Sequence, residues 1–131
     1  MHGSALDDYE GVIIEESLRN KAVLGKVEIS ETRVSRVTKR HKTPWLKHWT
    51  LHTVRIPEAN ANRIASELSR SLDETHGESW YADFRNDRFH YIVFRDKVFK
   101  ISTGDARGYG KVRRYGRGLG IPDYQLDFTP P

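Results

Sequence analysis

Lys39, Arg40, Lys42 and Lys47 surround Pro44, with His41, Trp45 and Trp49 interleaved. Cations at this density track a phosphate backbone, and exposed indoles stack on bases. The mixture therefore suits a single-stranded nucleic acid or a nucleotide. It equally suits a solvated loop whose two tryptophans turn inward and plug the end of a sheet. A second basic group, Arg107, Lys111, Arg113, Arg114 and Arg117, lies among four glycines. Arg107, Lys111 and Arg114 recur at helical spacing, and neighbouring glycines would let backbone amides approach a phosphate. Both phosphate-binding fingerprints fail. Asp105 stands where a phosphate loop needs its first glycine before Gly110-Lys111, and Arg113 stands where a dinucleotide loop needs its third. Basic residues late in a helix also complement its dipole without any ligand.

Acid–base chemistry has one candidate pair. If Asn86-Asp87 is a turn, Asp83 and His90 are symmetric about it and become cross-strand neighbours. Arg85 and Arg88 would then face each other, which is awkward unless an anion lies between them. The plain alternative is an outer polar face with an Asp–His pair in water. His48 and His52 are four apart, but on a strand that spacing separates them by ~13 Å, too far for one metal ion, and there is no HExxH motif. No metal or other cofactor is expected. The chain has no cysteine and no serine-centred nucleophile elbow, so covalent acyl chemistry has no visible starting point.

The elements that must position these groups are legible from periodicity. Residues 80–101, WYADFRNDRFHYIVFRDKVFKI, alternate apolar and polar side chains and are rich in aromatic and β-branched types. They predict three antiparallel strands with turns at Asn86-Asp87 and Arg95-Asp96. GVIIEESL from Gly11 predicts a first strand, residues 24–37 a second with a bulge or twist near Arg33, and residues 48–56 another. Pro57 opens a helix over about 58–73 with Ala61, Ile64, Ala65, Leu68 and Leu72 on its apolar face. Strand, amphipathic helix and strand together predict a split β-α-β unit with helices on one face of an antiparallel sheet. Four glycines leave residues 105–118 as an irregular helix or a turn-rich loop, since each costs a helix interior about 1 kcal/mol. DYQLDF, 123–128, predicts a closing strand or tail. The fold class is α+β: an antiparallel sheet of five or six strands, one amphipathic helix on one face and a second irregular helix.

At 131 residues, with 37% apolar residues and a mean hydropathy of −0.71, the chain supports one core and one domain over 11–131. Residues 1–10 predict a flexible arm. No apolar run approaches the ~20 residues of a bilayer span, and the acidic N-terminus lacks a signal-peptide core, so a cytoplasmic protein without a membrane partner is expected. The net charge of +4 is unevenly placed: residues 1–31 carry −4 and residues 32–57 carry +7, with no acid in that second stretch. A blandly solvated surface mixes its signs.

The combination VIIEESL, TPWLKHWTLHTVRIPE, SWYADFRN, HYIVFRDKVFKI and YGRGLGIPDYQLDF, spanning about 11–128, resembles a family of short bacterial and archaeal proteins with no assigned activity. The resemblance implies a freestanding small protein and transfers no site residues. The residues themselves point first to a non-catalytic module for an anionic partner, RNA, DNA or a nucleotide. Lys39, Arg40, Lys42 and Lys47 would contact phosphate and Trp45 would stack. The rivals are an enzyme acting on a phosphorylated small molecule at Asp83 and His90, and a protein-interaction or self-assembly domain in which the sheet edge and the acidic arm of residues 7–16 meet the basic loop of a neighbour.

Overall fold

Period-two alternation resolves into six strands in the structure, a computed structural model that describes residues 7–38, 46–73 and 80–128. In chain order these are β1 (Tyr9–Ile14), β2 (Glu28–Arg36), β3 (His48–Ile56), the helix α1 (Ala61–Ser71), β4 (Tyr81–Arg85), β5 (Phe89–Phe94), β6 (Lys97–Ser102) and the helix α2 (Ala106–Gly118). The strands form one antiparallel sheet in the order β2-β3-β1-β4-β5-β6. β1 lies between β3 and β4 and is antiparallel to both, so β3-α1-β4 is the expected split β-α-β unit.

The two helices lie on opposite faces, not on one. Tyr9 and Ile13 of β1, Ala82 and Phe84 of β4, and Tyr91 and Val93 of β5 pack with Ile64, Ala65 and Leu68 of α1. The alternate residues of the same strands, Tyr81, Ile92 and Phe94, pack with Val112, Tyr109 and Tyr115 of α2 and with Ile121, Leu126 and Phe128. Strand side chains alternate sides, so these are the two faces of one sheet. β5 is buried from both directions, which explains the apolar run HYIVF. On the α2 face the other half of the sheet is not covered: Val12 is 36% exposed, and none of Leu51, Thr53 or Arg55 is buried.

α2 is a regular helix of 13 residues despite its glycines. Asp105 caps it, its carboxylate accepting from the Gly108 amide at 3.0 Å. At the other end Gly120 adopts φ +87°, and the amides of Gly120 and Ile121 donate to the carbonyls of Arg117 and Gly116. That pairing closes the last turn by the Schellman arrangement. Residues 123–125 form a 3₁₀ turn, not a strand, and lead Leu126 and Phe128 into the core.

Three boundaries differ from expectation. Tyr9 and Glu10 belong to β1, and Tyr9 is 1% exposed, so the division placed after residue 10 cuts a core strand. The register slip in β2 falls between Ile29 and Glu31 rather than near Arg33. The β4–β5 turn is centred on Asp87-Arg88, one residue later than read from the sequence, because the Asn86 carboxamide accepts from the amides of Arg88 and Phe89 and closes the turn there.

Candidate functional site

The later turn changes the acid–base pair. His90 lies directly opposite Arg85, and Asp83 opposite Ile92. Arg88 does not face Arg85; it reaches Glu58 at 2.5 Å and Asp7 at 3.8 Å. Asp83 and His90 still meet, diagonally on the α2 face, with Asp83 Oδ2 2.6 Å from His90 Nε2. The other ring nitrogen, Nδ1, lies 2.9 Å from the Tyr109 hydroxyl on α2. A carboxylate only accepts, so Nε2 carries the proton facing Asp83. With no second proton on the ring, Nδ1 is the acceptor for the Tyr109 hydroxyl. Burial holds the Tyr109 phenol above its usual pKa, against the opposing pull of Arg85, which keeps the hydroxyl a donor.

His90 is 1% exposed and both its nitrogens are engaged. A general base must reach the proton it removes. This imidazole ties α2 to the sheet instead, and it packs edge-on to the rings of Tyr109 and Phe128. Tyr109 is the partner that strand reasoning missed, since it lies on another element and only tertiary packing delivers it.

A second histidine site joins the 3₁₀ turn after β1 to β2 and β3. His52 Nε2 is 2.8 Å from Glu15 Oε1, and Nδ1 is 2.9 Å from the Thr32 hydroxyl. The hydrogen bond from His52 holds the Glu15 carboxyl below its ordinary pKa. His52 is therefore occupied by protein groups, while His48 is exposed four residues away.

The basic residues divide differently. Lys39, Arg40, His41, Lys42 and Trp45 lie outside the described residues. Lys47 is exposed, and its carbonyl accepts from the Val37 amide at 3.0 Å, closing the chain between β2 and β3. Trp49 packs at the edge of the core with its ring 5.3 Å from that of Trp80, the inward reading of that residue. Arg107, Lys111 and Arg114 are all exposed on one side of α2, and among the described residues none of them makes an ion pair. Their neighbours are engaged: Arg117 pairs with Asp123 at 2.6 Å, and Arg113 donates to the Leu126 carbonyl and lies over the Phe128 ring.

Sequence reading also missed a cleft of about 650 Å³ lined by Arg19, Asn20, Lys21, Arg70 and Arg95. Its cations come from three distant stretches, so no local pattern announces it. No helix among the described residues is long and apolar enough to cross a membrane. Comparison of the chain with models of protein families, with curated proteins and with solved structures gave no match.

Proposed function

We propose that this chain is a non-catalytic binding module for RNA or DNA. The observation that carries the reading is the row Arg107, Lys111 and Arg114, exposed along one side of α2 with no ion pair among the described residues. A helix rises about 1.5 Å per residue, so the row spans roughly 10 Å and presents three cations in line to a phosphodiester chain. Lys47 adds a fourth exposed cation where the basic segment 39–45 rejoins β3. Both basic regions enter this reading, with Lys39, Arg40, Lys42 and Lys47 contacting phosphate and Trp45 stacking on a base.

The buried, doubly engaged His90 favours this reading over acid–base catalysis at Asp83 and His90. The test is retention of a fluorescent single-stranded oligonucleotide by the Arg107→Gln/Lys111→Gln/Arg114→Gln protein. At low salt, affinity should fall about tenfold or more. Unchanged retention would remove α2 from the interface.

Self-association has one observation of its own. β2 is a nine-residue edge strand on which Val34 is 62% exposed. Glu28, Glu31, Arg33 and Arg36 along the same strand oppose edge pairing. Sedimentation equilibrium decides it: a mass that rises with protein concentration supports pairing through β2, and a constant monomer mass excludes it.

A further inference from the structure

Three stretches of chain far apart in sequence converge beside the C-terminal end of α1. Arg19 and Lys21 follow the turn after β1, Arg70 lies in the last turn of α1, and Arg95 lies in the β5–β6 turn. Together with Asn20 they line the cleft of about 650 Å³. The cleft is open to solvent, with Arg19, Asn20, Lys21 and Arg70 all exposed and Arg95 partly so.

The framework behind these side chains is tied down by backbone. The amides of Arg19 and Asn20 donate to the Ser71 carbonyl at 2.7 and 3.3 Å, and the Asp73 amide donates to Ser17 at 2.8 Å. Leu18 and Leu72 form an isolated antiparallel bridge. On the other side the Asp96 amide donates to the Ser69 carbonyl, and the Ser69 hydroxyl donates to Phe94. Arg19 and Asn20 are thus held against the end of α1, and the β5–β6 turn against Ser69, by hydrogen bonds that leave the Arg19 and Arg70 guanidinium groups out.

Their charge is only partly offset. Glu15 approaches Lys21 at 3.4 Å but is shared with His52, and Asp96 approaches Arg95 at 3.6 Å. Among the described residues no carboxylate comes within ion-pair distance of Arg19 or Arg70. The negative end of α1 does not repel an anion here with its full strength. Arg95 already donates to the Leu72 carbonyl at 2.5 Å, and Arg19 and Asn20 cover Ser71.

We propose that this cleft binds a small molecule carrying a diphosphate or an equivalent pair of phosphate groups. Guanidinium forks match phosphate oxygens in pairs, and the lysine adds a compact charge that needs no particular orientation. Arg19 and Arg70, without an ion pair among the described residues, place two guanidinium groups beside Lys21 and favour a ligand with at least two negative charges over chloride or a single carboxylate. The site is separate from the α2 row, so it can stand or fall independently of the nucleic-acid reading.

The test is calorimetric titration of the full chain with inorganic pyrophosphate at constant ionic strength. The wild-type and Arg107→Gln/Lys111→Gln/Arg114→Gln proteins should bind saturably and alike, while Arg19→Gln/Arg70→Gln should lose at least tenfold in affinity. Pyrophosphate should shift the amide resonances of residues 19–21 and 95 in labelled wild-type protein, which keeps the test open if the double variant folds poorly. An oligonucleotide that binds without displacing pyrophosphate agrees with a separate small-molecule site. One that displaces it in proportion shows that the cleft belongs to the nucleic-acid surface and overturns the assignment. The proposal is also overturned if wild-type protein shows no saturable binding, or if the resonance shifts fall on α2 alone.

Discussion

His90 spans two oxygens of different acidity, a half-exposed carboxylate and a partly buried phenol. Removing the phenol oxygen should leave Nδ1 buried without its donor. Tyr109→Phe is therefore expected to lower the unfolding free energy by about 1–3 kcal/mol, read from urea denaturation. An unchanged midpoint would show that solvent reaches that nitrogen. The second histidine makes a pH prediction. Glu15 has a folded pKa below its ordinary 4.5, chiefly because His52 donates to it, with burial opposing. A depressed folded pKa contributes stability that is present above about 4.5 and lost as the pH falls through the folded value. Glu15→Gln should flatten part of the acid limb of the stability profile below about pH 4.5, because its carboxamide oxygen still accepts from His52 but no longer titrates. Parallel profiles for the two proteins would contradict this. The Asp83–His90 proximity was legible from alternation even though the turn was read one residue early, because a diagonal neighbour shares the face. Tyr109 was not legible, since its placement depends on where α2 docks.

At the scale of elements, α2 shows how glycine can be compatible with a helix when something else needs the space. A Cβ on Gly116 would come within 2.6 Å of Leu126 Cδ2, and Leu126 is 1% exposed. One on Gly110 would meet nothing closer than the Arg114 guanidinium at 3.7 Å. Gly110→Ala should therefore stabilise the protein by about 0.5–1 kcal/mol through helix propensity alone. Gly116→Ala should destabilise it, because overpacking a filled core costs about 1–3 kcal/mol and exceeds that gain. Thermal unfolding of the two variants in opposite directions is the expected result. Equal shifts would mean that the C-terminal segment moves aside without cost. The sequence showed the apolar spacing of α2 but not why its glycines were tolerated, since Leu126 and Ile101 pack against it from other elements. The opposite placement of the helices had a signal: Tyr81, Ile92, Phe94 and Ile101 give β4, β5 and β6 a second apolar side, which a sheet covered on one face has no use for.

For the whole molecule, strand order decides which charges meet. β1, β2 and β5 finish, and β3, β4 and β6 begin, at one end of the sheet. Arg36, Lys47, Arg95 and the turn carrying Arg19 and Lys21 are therefore brought to the same end. The excess of positive charge in residues 32–57 was visible in the linear sequence. The convergence of Arg19, Arg70 and Arg95 was not, because each sits in a stretch of mixed sign and only the split β-α-β crossover unites them. Long-range position, unlike periodicity, leaves no local trace.

Binding of a single-stranded oligonucleotide measured across a salt series tests the central claim most directly, since a contact between fixed cations and phosphates releases counterions. Each phosphate neutralised on a single strand contributes about −0.7 to the slope of log affinity against log salt. Four such contacts, from Lys47, Arg107, Lys111 and Arg114, predict a slope of roughly −3, reduced by about 2 in the α2 triple variant. A slope near zero, or one that the triple variant leaves unaltered, would contradict the account.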